Sequence, residues 1–471
     1  MYILHVSAIF HLNATNHLYI DSLSMLEKIF FKKIELWVLY LFFILGGIAL
    51  ILFGWAVQYK ATGGHRGGAF GEAILALAEA PNNAMLLFNV GLNSAMQPQR
   101  IQFSEFRNLK VIDKDFTDPG LLLVSGFSLE NGISSIYLYD IQNAEKLYEW
   151  IPPYQDIAAQ TSYHTGMNAR ASYRTQHPFL LPDGSVLFTS GEGPLVKIDR
   201  CGALQWTINR HFHHSIEMGP DNTIFAPLVI ATPQDFDSVT EKGHKVYPIR
   251  DDGFAEISLN GKILKEWSVK DILERNGYIG LLYGVGEFET DRIHLNDVQP
   301  IMDTDAYVQK GDLVLSSRHL STVFLYRPST DKVIWLQTGP WLNQHDVDYQ
   351  GDGIYTIFGN DSVRGPVANP AYNGYSSIYY YDQKSGTTGL YRSFEKENIY
   401  TETQGLHQVL SNGDLFVEEQ EKHILYRIGK DTYRWKYVNT LNDDEIGALH
   451  WSRYLDATPV DFPFLTGPKC K

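Results

Sequence analysis

Between residues 36 and 57 the chain carries an uninterrupted apolar run, LWVLYLFFILGGIALILFGWAV, without a charged side chain. A helix of this length can cross a hydrocarbon core of about 30 Å. Aromatic residues stand near both ends of the run, as they do at membrane interfaces: Trp37, Tyr40, Trp55 and Tyr59. The pattern predicts a single transmembrane helix over 36–57.

The basic residues around this run are slightly more numerous on its N-terminal side. Lys28, Lys32 and Lys33 precede it, whereas Lys60 and Arg66 follow it. The positive-inside rule therefore predicts a cytoplasmic segment over 1–35, with the rest of the chain on the other side of the membrane. A cleaved signal peptide is the alternative, but the run is long and no small-residue cleavage site follows closely.

From about residue 118 the pattern changes to short apolar strands that recur in units of four, after a connector over 58–117. The unit beginning at His177 shows the pattern most fully, with a Pro182-Asp183-Gly184 turn followed by the alternating strand SVLFTS. Five further units follow the same order, near Leu121, His214, Leu313, His345 and His407. Their fourth strands end in an aromatic residue: Trp150, Trp206, Trp267, Trp335, Tyr391 and Trp435.

Six such units predict an all-β fold, a six-bladed β-propeller over 118–440 preceded by the single N-terminal transmembrane helix. A β-sandwich with a second domain is the alternative, and the number and spacing of the units favour the propeller. Residues 441–471 are predicted as a C-terminal extension. Long insertions stand at 231–252, 270–293 and 361–375, where they could shape a funnel over the channel.

Composition limits the partners. The 471 residues are 44% hydrophobic, enough for a large core, and carry a net charge of -15 from 39 Lys+Arg against 54 Asp+Glu. Such a chain repels polyanions, so a nucleic-acid partner is not expected. Two cysteines, Cys201 and Cys470, exclude a disulfide framework and make a cysteine zinc site unexpected; they do not decide the redox compartment.

Histidines recur at one position of the repeat, where each opens the first strand of a unit: His177, His214, His294, His345 and His407. First strands line the central channel of a propeller, so we expect the five imidazoles to meet near its axis. Imidazole can act as a nucleophile, an acid or base, a metal ligand or a donor to an anion. Channel filling by satisfied polar side chains is the plainer alternative.

Other polar groups accompany these histidines. Asn296 lies two residues after His294, on the same face of a regular strand. Arg318 ends the next strand of that unit and is suited to bind a sulfate or phosphate, although a surface ion pair is the simpler interpretation. Asp346 should point away from His345, so we do not assign it as an orienting acid.

These residues give the chain its resemblance to a known family. HHSIEMGPDNTIFA, DRIHLNDVQPI, GDLVLSSRHLSTVFLYRPSTDKVIW and NQHDVDYQGDGIYTIFGND resemble the bacterial PAPS-independent arylsulfotransferases (arylsulfate sulfotransferases). The likeness covers roughly residues 118–440. It implies transfer of a sulfuryl group from a phenolic sulfate donor to a phenolic acceptor, through a sulfated histidine, with no cofactor and no metal.

The resemblance also implies roles for individual residues. His345 is expected to be the nucleophile, and His214, His294, Asn296 and Arg318 are expected to hold the sulfuryl oxygens. The family also uses a last-blade threonine; here Thr401 and Thr403 are both candidates, or His407 replaces it. His177 is a further candidate for substrate binding. The implied location is the inner membrane, single-pass, with the propeller in the periplasm.

Two other functions remain as alternatives. The propeller could be a catalytically silent scaffold of a membrane assembly, with a homodimer or a membrane protein as its partner. Several histidines on one axis could instead hold zinc or copper. Arg318 beside them argues against a metal, because a cation next to a metal ion is unfavourable.

Overall fold

A computed structural model describes residues 35–61, 100–103, 105–161, 170, 173–232, 240–241, 244–245, 249–286, 289–364, 370–467 and 470. The chain divides into two compact units, 1–94 and 95–471. The predicted cytoplasmic segment before residue 35 and most of the predicted connector lie outside the described residues. The two units are therefore presented separately.

The first unit contains the helix α1, Leu36–Ala61. Its stretch Leu36–Gly54 is long and apolar enough to cross a membrane. The side chains described along it are mostly exposed, with Phe42 and Ile51 more than 70% exposed. Exposed apolar surface of this extent is what a lipid-facing helix presents.

The second unit is mostly β-structure, with antiparallel strand pairs. In chain order its strands are β1 Arg100–Gln102, β2 Leu109–Val111, β3 Leu121–Ser128, β4 Ile133–Asp140, β5 Glu145–Trp150, β6 Gln176–Leu180, β7 Val186–Thr189, β8 Gly193–Ile198, β9 Leu204–Phe212, β10 Glu217–Met218, β11 Thr223–Ala231, β12 Thr240–Glu241, β13 His244–Lys245, β14 Asp251–Ser258, β15 Ile263–Ser268, β16 Leu295–Pro300, β17 Leu313–Ser317, β18 Thr322–Arg327, β19 Lys332–Thr338, β20 Asp346–Gly351, β21 Ile354–Gly359, β22 Ser377–Asp382, β23 Thr387–Ser393, β24 Leu406–Val409, β25 Leu415–Glu419, β26 Ile424–Ile428, β27 Tyr433–Tyr437, β28 Asn439–Thr440, β29 Glu445–Gly447 and β30 Arg453–Leu455.

Short helices join some of these strands. They are α2 Tyr154–Gln160, α3 Val269–Arg275, α4 Ile279–Tyr283 and the 3₁₀ turns Arg318–Leu320, Pro459–Asp461 and Pro463–Thr466. The predicted insertion at 270–293 is thus partly helical. Ser268 caps α3 by accepting a hydrogen bond from the Asp271 backbone N–H, which starts the helix directly after β15.

The main sheets contain strands in sequential order. Four-stranded sheets are β30-β3-β4-β5, β16-β17-β18-β19 and β20-β21-β22-β23; β24 to β27 form a sheet that β2 extends at its outer edge. An eight-stranded sheet joins β6 to β9 with β10, β11, β14 and β15, and the two halves meet through the single pair Leu228 and Phe212. Divided there, the sheets form six four-stranded groups, numbered one to six from the β30-β3-β4-β5 group.

The core is distributed between consecutive groups. Each of six buried apolar clusters contains residues from two neighbouring groups, and one of them joins group six to group one through Phe416, Trp435, Leu122 and Tyr137. The aromatic residues predicted for the fourth strands stand in β5, β9, β15, β19, β23 and β27, which confirms that part of the repeat.

The C-terminal segment packs into this arrangement. Strand β30 pairs with β3, placing Arg453 to Leu455 opposite Leu123 to Leu121. Cys470 forms a disulfide with Cys201 in the turn between β8 and β9. A framework of several bridges was excluded by the number of cysteines, but this single bond was not foreseen, because a separation of 269 residues gives no local signal.

Candidate active site

The five histidines lie at the starts of first strands, as their register predicts. His294 and His345 directly precede β16 and β20, His177 and His407 occupy the second positions of β6 and β24, and His214 precedes β10 by three residues. His177, His214 and His294 have left-handed backbones with φ of 49°, 56° and 48°, and Trp451, two residues before β30, has φ of 56°. Such values are uncommon outside glycine and often mark functional positions.

Three of these side chains form an imidazole cluster: His214, His294 and His345. The ring centroid of His214 lies 5.4 Å from that of His294 and 5.9 Å from that of His345. The Nδ1 atoms of His214 and His213 are 2.9 Å apart, so one of these imidazoles donates to the other. The three predicted residues thus share one small volume, to which groups three, four and five each contribute one ring.

Asn360 fixes His345. The Asn360 Nδ2 group donates to the carbonyls of Thr401 (2.8 Å) and Gln404 (2.6 Å), which orients Oδ1 as the acceptor 2.7 Å from His345 Nδ1. His345 therefore carries its proton on Nδ1, and the lone pair belongs to Nε2. Sequence reasoning missed Asn360; counting back across the β20–β21 hairpin from its Gly351-Asp352-Gly353 turn places it opposite Gln344 and His345.

His294 has a carboxylate partner that the sequence analysis also missed. Its Nδ1 lies 2.7 Å from Asp291 Oδ2, and its ring stacks on His319 at 4.3 Å. His319 donates from Nδ1 to the Asp291 carbonyl at 2.5 Å and accepts at Nε2 from Arg318 Nη1 at 3.0 Å. A chain of hydrogen bonds thus connects the two predicted residues His294 and Arg318 through Asp291 and His319.

Arg318 is buried, which overturns the interpretation as a surface ion pair. It lies in the 3₁₀ turn directly after β17, is 7% exposed, and forms no salt bridge within 4 Å among the described residues. Its Nε has no hydrogen-bond partner in that part of the chain. A buried cation is costly unless an anion or polar acceptors compensate it.

The electrostatic environment disfavours further positive charge at these imidazoles. Burial, followed by the charge of Arg318, holds the pKa of His345 well below its usual value. Burial and the neighbouring His213 and His294 do the same to the pKa of His214. Burial and the nearby Arg364 lower the pKa of Arg318 to about 10, so its guanidinium remains charged at neutral pH. A neutral His345 Nε2 thus lies in the field of a buried cation.

His407 does not join the imidazole cluster, contrary to the expectation that all five rings meet. Its Nδ1 lies 2.6 Å from Asp346 Oδ2 and its Nε2 lies 2.8 Å from Thr356 Oγ1. Burial acts to lower the pKa of His407, but Asp346 and Asp348 outweigh it and raise the pKa. Asp346 thus pairs with His407, and among the described residues it forms no hydrogen bond with His345. His407 belongs to a carboxylate cluster that consists of Asp346, Asp348 and His407. The two aspartates lie in group five and His407 lies in group six.

The remaining predicted residues lie around these clusters. His177 stacks on Trp451 at 4.5 Å, and Trp451 in turn lies 5.8 Å from His214. Thr403 is half-buried, and its backbone N–H donates to Glu421. The Thr401 hydroxyl donates to the Gln404 carbonyl at 3.1 Å, beside the acceptors that hold Asn360. Thr401 is therefore connected to His345 through Asn360.

Asn296 lies in a β-bulge between Leu295 and Asp297, so simple alternation does not fix its direction. Its Nδ2 donates to the Gln344 carbonyl at 2.6 Å, and its buried Oδ1 has no hydrogen-bond partner among the described residues. Asn296 and His345 both line a cavity of about 300 Å³ that also contains His177 and His407.

Metal-ligating side chains lie near the imidazole cluster as well. Asp291, His294 and His319 bring potential ligand atoms within 4.8 Å of one another. Arg318 donates to His319 at Nε2, the position from which this imidazole could otherwise bind a metal. The donor set at this place therefore suits an anion better than a cation.

The sequence also identifies the protein family to which the chain belongs. The family model described as arylsulfotransferase (ASST) matches residues 177–439, more than half of the chain. The chain belongs to the arylsulfotransferase family, which confirms the resemblance and supports an enzyme of the arylsulfotransferase type rather than a silent scaffold. No curated protein matches the sequence.

Several solved structures are similar to the chain at low sequence identity. A Bacteroides caccae protein of unknown function aligns at 13% identity and a TM-score of 0.45, over 72% of this chain and 100% of that one. A streptogramin B lyase aligns at 12% and 0.39, over 71% and 88% of the two chains. The WD40 β-propeller domain of Doa1 aligns at 12% and 0.34, over 67% and 74%.

Proposed function

We propose that this protein is a membrane-anchored arylsulfotransferase that moves a sulfuryl group from a phenolic sulfate ester to a phenolic acceptor. His345 is the nucleophile and carries the sulfuryl group between the two half-reactions. His214, His294, Asn296 and Arg318 hold the sulfuryl oxygens. Neither PAPS nor a metal takes part in the transfer.

The proposed scaffold is a closed propeller of six blades, each formed by one of the six groups. Two observations support it. The apolar clusters join each group to the next and the last to the first, and β30 brings a C-terminal strand to the β3 edge of group one. In this arrangement the first strands surround the axis, which places residues from groups three, four and five around one sulfuryl group.

The buried Arg318 guanidinium, which has no carboxylate partner among the described residues, carries the functional proposal. A sulfate ester is an anion with oxygens that accept the parallel N–H bonds of guanidinium. In the part of the chain that the structure describes, Arg318 Nε has no hydrogen-bond partner and no carboxylate forms a salt bridge with Arg318. A bound sulfate ester would supply the missing negative charge. It would not have to displace a carboxylate of the described residues from Arg318.

The transfer has two balanced steps. His345 Nε2 attacks the sulfur, the N–S bond forms, and the S–O bond to the donor breaks with its electron pair leaving on the phenolate, which takes a proton from solvent. The acceptor oxygen then attacks the same sulfur, its hydroxyl proton passes to solvent, and the N–S bond breaks with its pair returning to Nε2. Asn360 keeps the His345 Nδ1 proton in place throughout.

The compartment is proposed to be extracytoplasmic, with α1 as the anchor. The bias of basic residues before α1 favours a cytoplasmic N-terminus. The Cys201–Cys470 disulfide supports the same orientation, because such bonds persist mainly in oxidising compartments.

The test is transfer from a fluorogenic aryl sulfate to phenol by the full-length protein in detergent, with His345→Asn as the variant. We expect wild-type turnover, a sulfated His345 peptide in mass spectra after incubation with donor alone, and loss of both in the variant. His423→Asn is the matched control. This buried histidine lies outside the imidazole cluster at a left-handed φ of 52°, which asparagine accepts readily.

A label on another residue, or turnover retained by His345→Asn, would refute the assignment of the nucleophile. A folded wild type without transfer across a panel of aryl sulfates would refute the activity itself.

A further inference from the structure

Carboxylates dominate one side of the cavity beside His345. Asp297, Asp346, Asp348 and Glu217 all line it. Arg453 pairs with Glu217 at 2.9 Å, so this cation compensates one of the four acids. Asp297, Asp346 and Asp348 remain, and His407 pairs with Asp346. Asp297 is buried, whereas the side chains of Asp346 and Asp348 are 18% and 22% exposed. Like charges held close together repel one another, and a bound cation would relieve that repulsion.

The carboxylate cluster has the spacing of a metal site. Potential ligand atoms of Asp346, Asp348 and His407 all lie within 4.8 Å of one another. Each carboxylate uses one oxygen in a hydrogen bond: Asp346 Oδ2 accepts from His407, and Asp348 Oδ1 accepts from Gln299 Nε2 at 2.8 Å. The described residues give no hydrogen bond to Asp346 Oδ1 or Asp348 Oδ2.

Two buried atoms in the cavity wall have no hydrogen-bond partner within the described ranges. Asn296 is 1% exposed, and its Oδ1 is unsatisfied among the described residues. His177 is 8% exposed, and its Nε2 is likewise unsatisfied there. Both residues line the same cavity as the carboxylates. Unpaired carbonyl oxygens and imidazole nitrogens in a native interior call for a ligand, and both atom types bind cations.

We propose that the carboxylate cluster binds one divalent cation of the Mn²⁺ or Ca²⁺ type, with Asp346 and Asp348 as its principal ligands. His407 would supply its Nε2 only by giving up the 2.8 Å contact with the Thr356 hydroxyl. Asn296 lies in the wall of the same cavity. Carboxylate and amide oxygens suit hard cations, and a single imidazole is compatible with Mn²⁺. The ion would bind in the cavity, between groups four, five and six.

The proposed principal ligands, Asp346 and Asp348, are not among the residues proposed to hold the sulfuryl group. Of those residues Asn296 lines the cavity, whereas His214, His294 and Arg318 do not. His345 also lines the cavity, with its Nδ1 held by Asn360. The proposed cation thus needs no part in sulfuryl transfer, and its binding can be measured without substrate.

The test uses the full-length protein in detergent, freed of metal with EDTA and then of EDTA. Mn²⁺ is titrated while the electron paramagnetic resonance signal of the free ion is recorded. We expect one Mn²⁺ per chain, displaced by Ca²⁺, with at least tenfold weaker binding in Asp348→Asn and in Asp346→Asn. Asp352→Asn, which changes an exposed acid in the same group, should bind like the wild type.

Thermal unfolding separates loss of a ligand from loss of the fold. Mn²⁺ should raise the wild-type Tm and leave that of Asp348→Asn unchanged. Without metal, Asp348→Asn should unfold no earlier than the wild type, since it removes one of three neighbouring carboxylates and its amide oxygen can still accept from Gln299. A structural role alone predicts a lower Tm in every buffer.

Two results would overturn the proposal. One is the absence of saturable binding of either Mn²⁺ or Ca²⁺ to the wild type. The other is binding that survives in both aspartate variants and disappears in Asp291→Asn, which would assign the ion to Asp291, His294 and His319.

Discussion

At the scale of single residues, Asn360 decides which nitrogen of His345 carries the proton. Its amide hydrogens already donate to two backbone carbonyls, so its oxygen faces the imidazole as an acceptor. In the proposed transfer, loss of Asn360 would let the ring rotate or change tautomer, and Nε2 would no longer be held as the attacking nitrogen. We regard Asn360 as a positioning residue, since it acts through His345.

Replacing Asn360 with alanine should therefore slow the sulfation step without weakening donor binding. Misaligned reacting groups cost on the order of 10²-fold in rate. We expect kcat to fall by roughly that factor while KM stays within about twofold, and single-turnover labelling of His345 to slow in parallel. Asn439→Ala is the control, because it removes an equally buried amide that binds Phe127 instead. An increase in KM with kcat unchanged would contradict a positioning role.

The placement of the histidines near the starts of first strands could be predicted from sequence because it repeats with the four-stranded groups. The partners of these histidines could not, since they follow from packing between elements. His345 directly precedes β20, whereas His407 is the second residue of β24, where it pairs with Asp346 of the preceding group instead of joining the imidazole cluster. Trp451 occupies the equivalent place in group one without being a histidine, so a search for imidazoles misses it.

At the scale of elements, Glu418 in β25 fastens the segment that leads into β30. Its two oxygens accept from the backbone N–H groups of Trp451 (2.8 Å) and Ser452 (2.6 Å). Glu418 is fully buried. Burial raises the pKa of Glu418 to about 7, although these hydrogen bonds act in the opposite direction. The carboxyl group is thus a buried acid whose ionisation opposes folding.

The sign of the pH effect follows from that shift. Between about pH 4.5, where the unfolded acid titrates, and about pH 7, the folded state binds the extra proton, so stability falls as pH rises and then levels off. The full effect is on the order of 3 kcal/mol. Glu418→Gln cannot ionise, so its Tm relative to the wild type should increase between pH 5 and pH 8. The exposed Glu395→Gln should show no such trend, and a constant difference for Glu418→Gln would refute the shifted ionisation.

The strands, and the aromatic residue in the fourth strand of each group, were predictable because alternation and turns are local signals. Departures from alternation were not. The bulge at Leu295 and Asp297 inserts Asn296 into the wall of the cavity instead of leaving it on the face of His294. The pairing of β30 with β3 could not be predicted from local patterns either, since the two strands lie more than 300 residues apart. Residues 441–471 were therefore predicted only as a C-terminal extension.

At the scale of the whole molecule, the disulfide and β30 connect the end of the chain to groups one and two. Cys470 binds Cys201 between β8 and β9, while β30 pairs with β3. Closing so long a loop removes much of the freedom of the unfolded chain, and disulfides of this kind contribute about 2–5 kcal/mol. The same bond bears on the proposed location, because the cytosol keeps thiols reduced.

Trapping the thiols in living cells therefore tests the proposed topology. Cells that express the full-length protein are quenched with acid and alkylated under denaturing conditions, and the mass of the protein is measured. We expect no alkylated cysteine in the wild type and one in Cys201→Ser, where Cys470 has lost its partner. Two alkylated cysteines in the wild type would place the second unit in the cytoplasm. The direction of α1 would then have to be reversed, because the basic residues before it would no longer mark the cytoplasmic end.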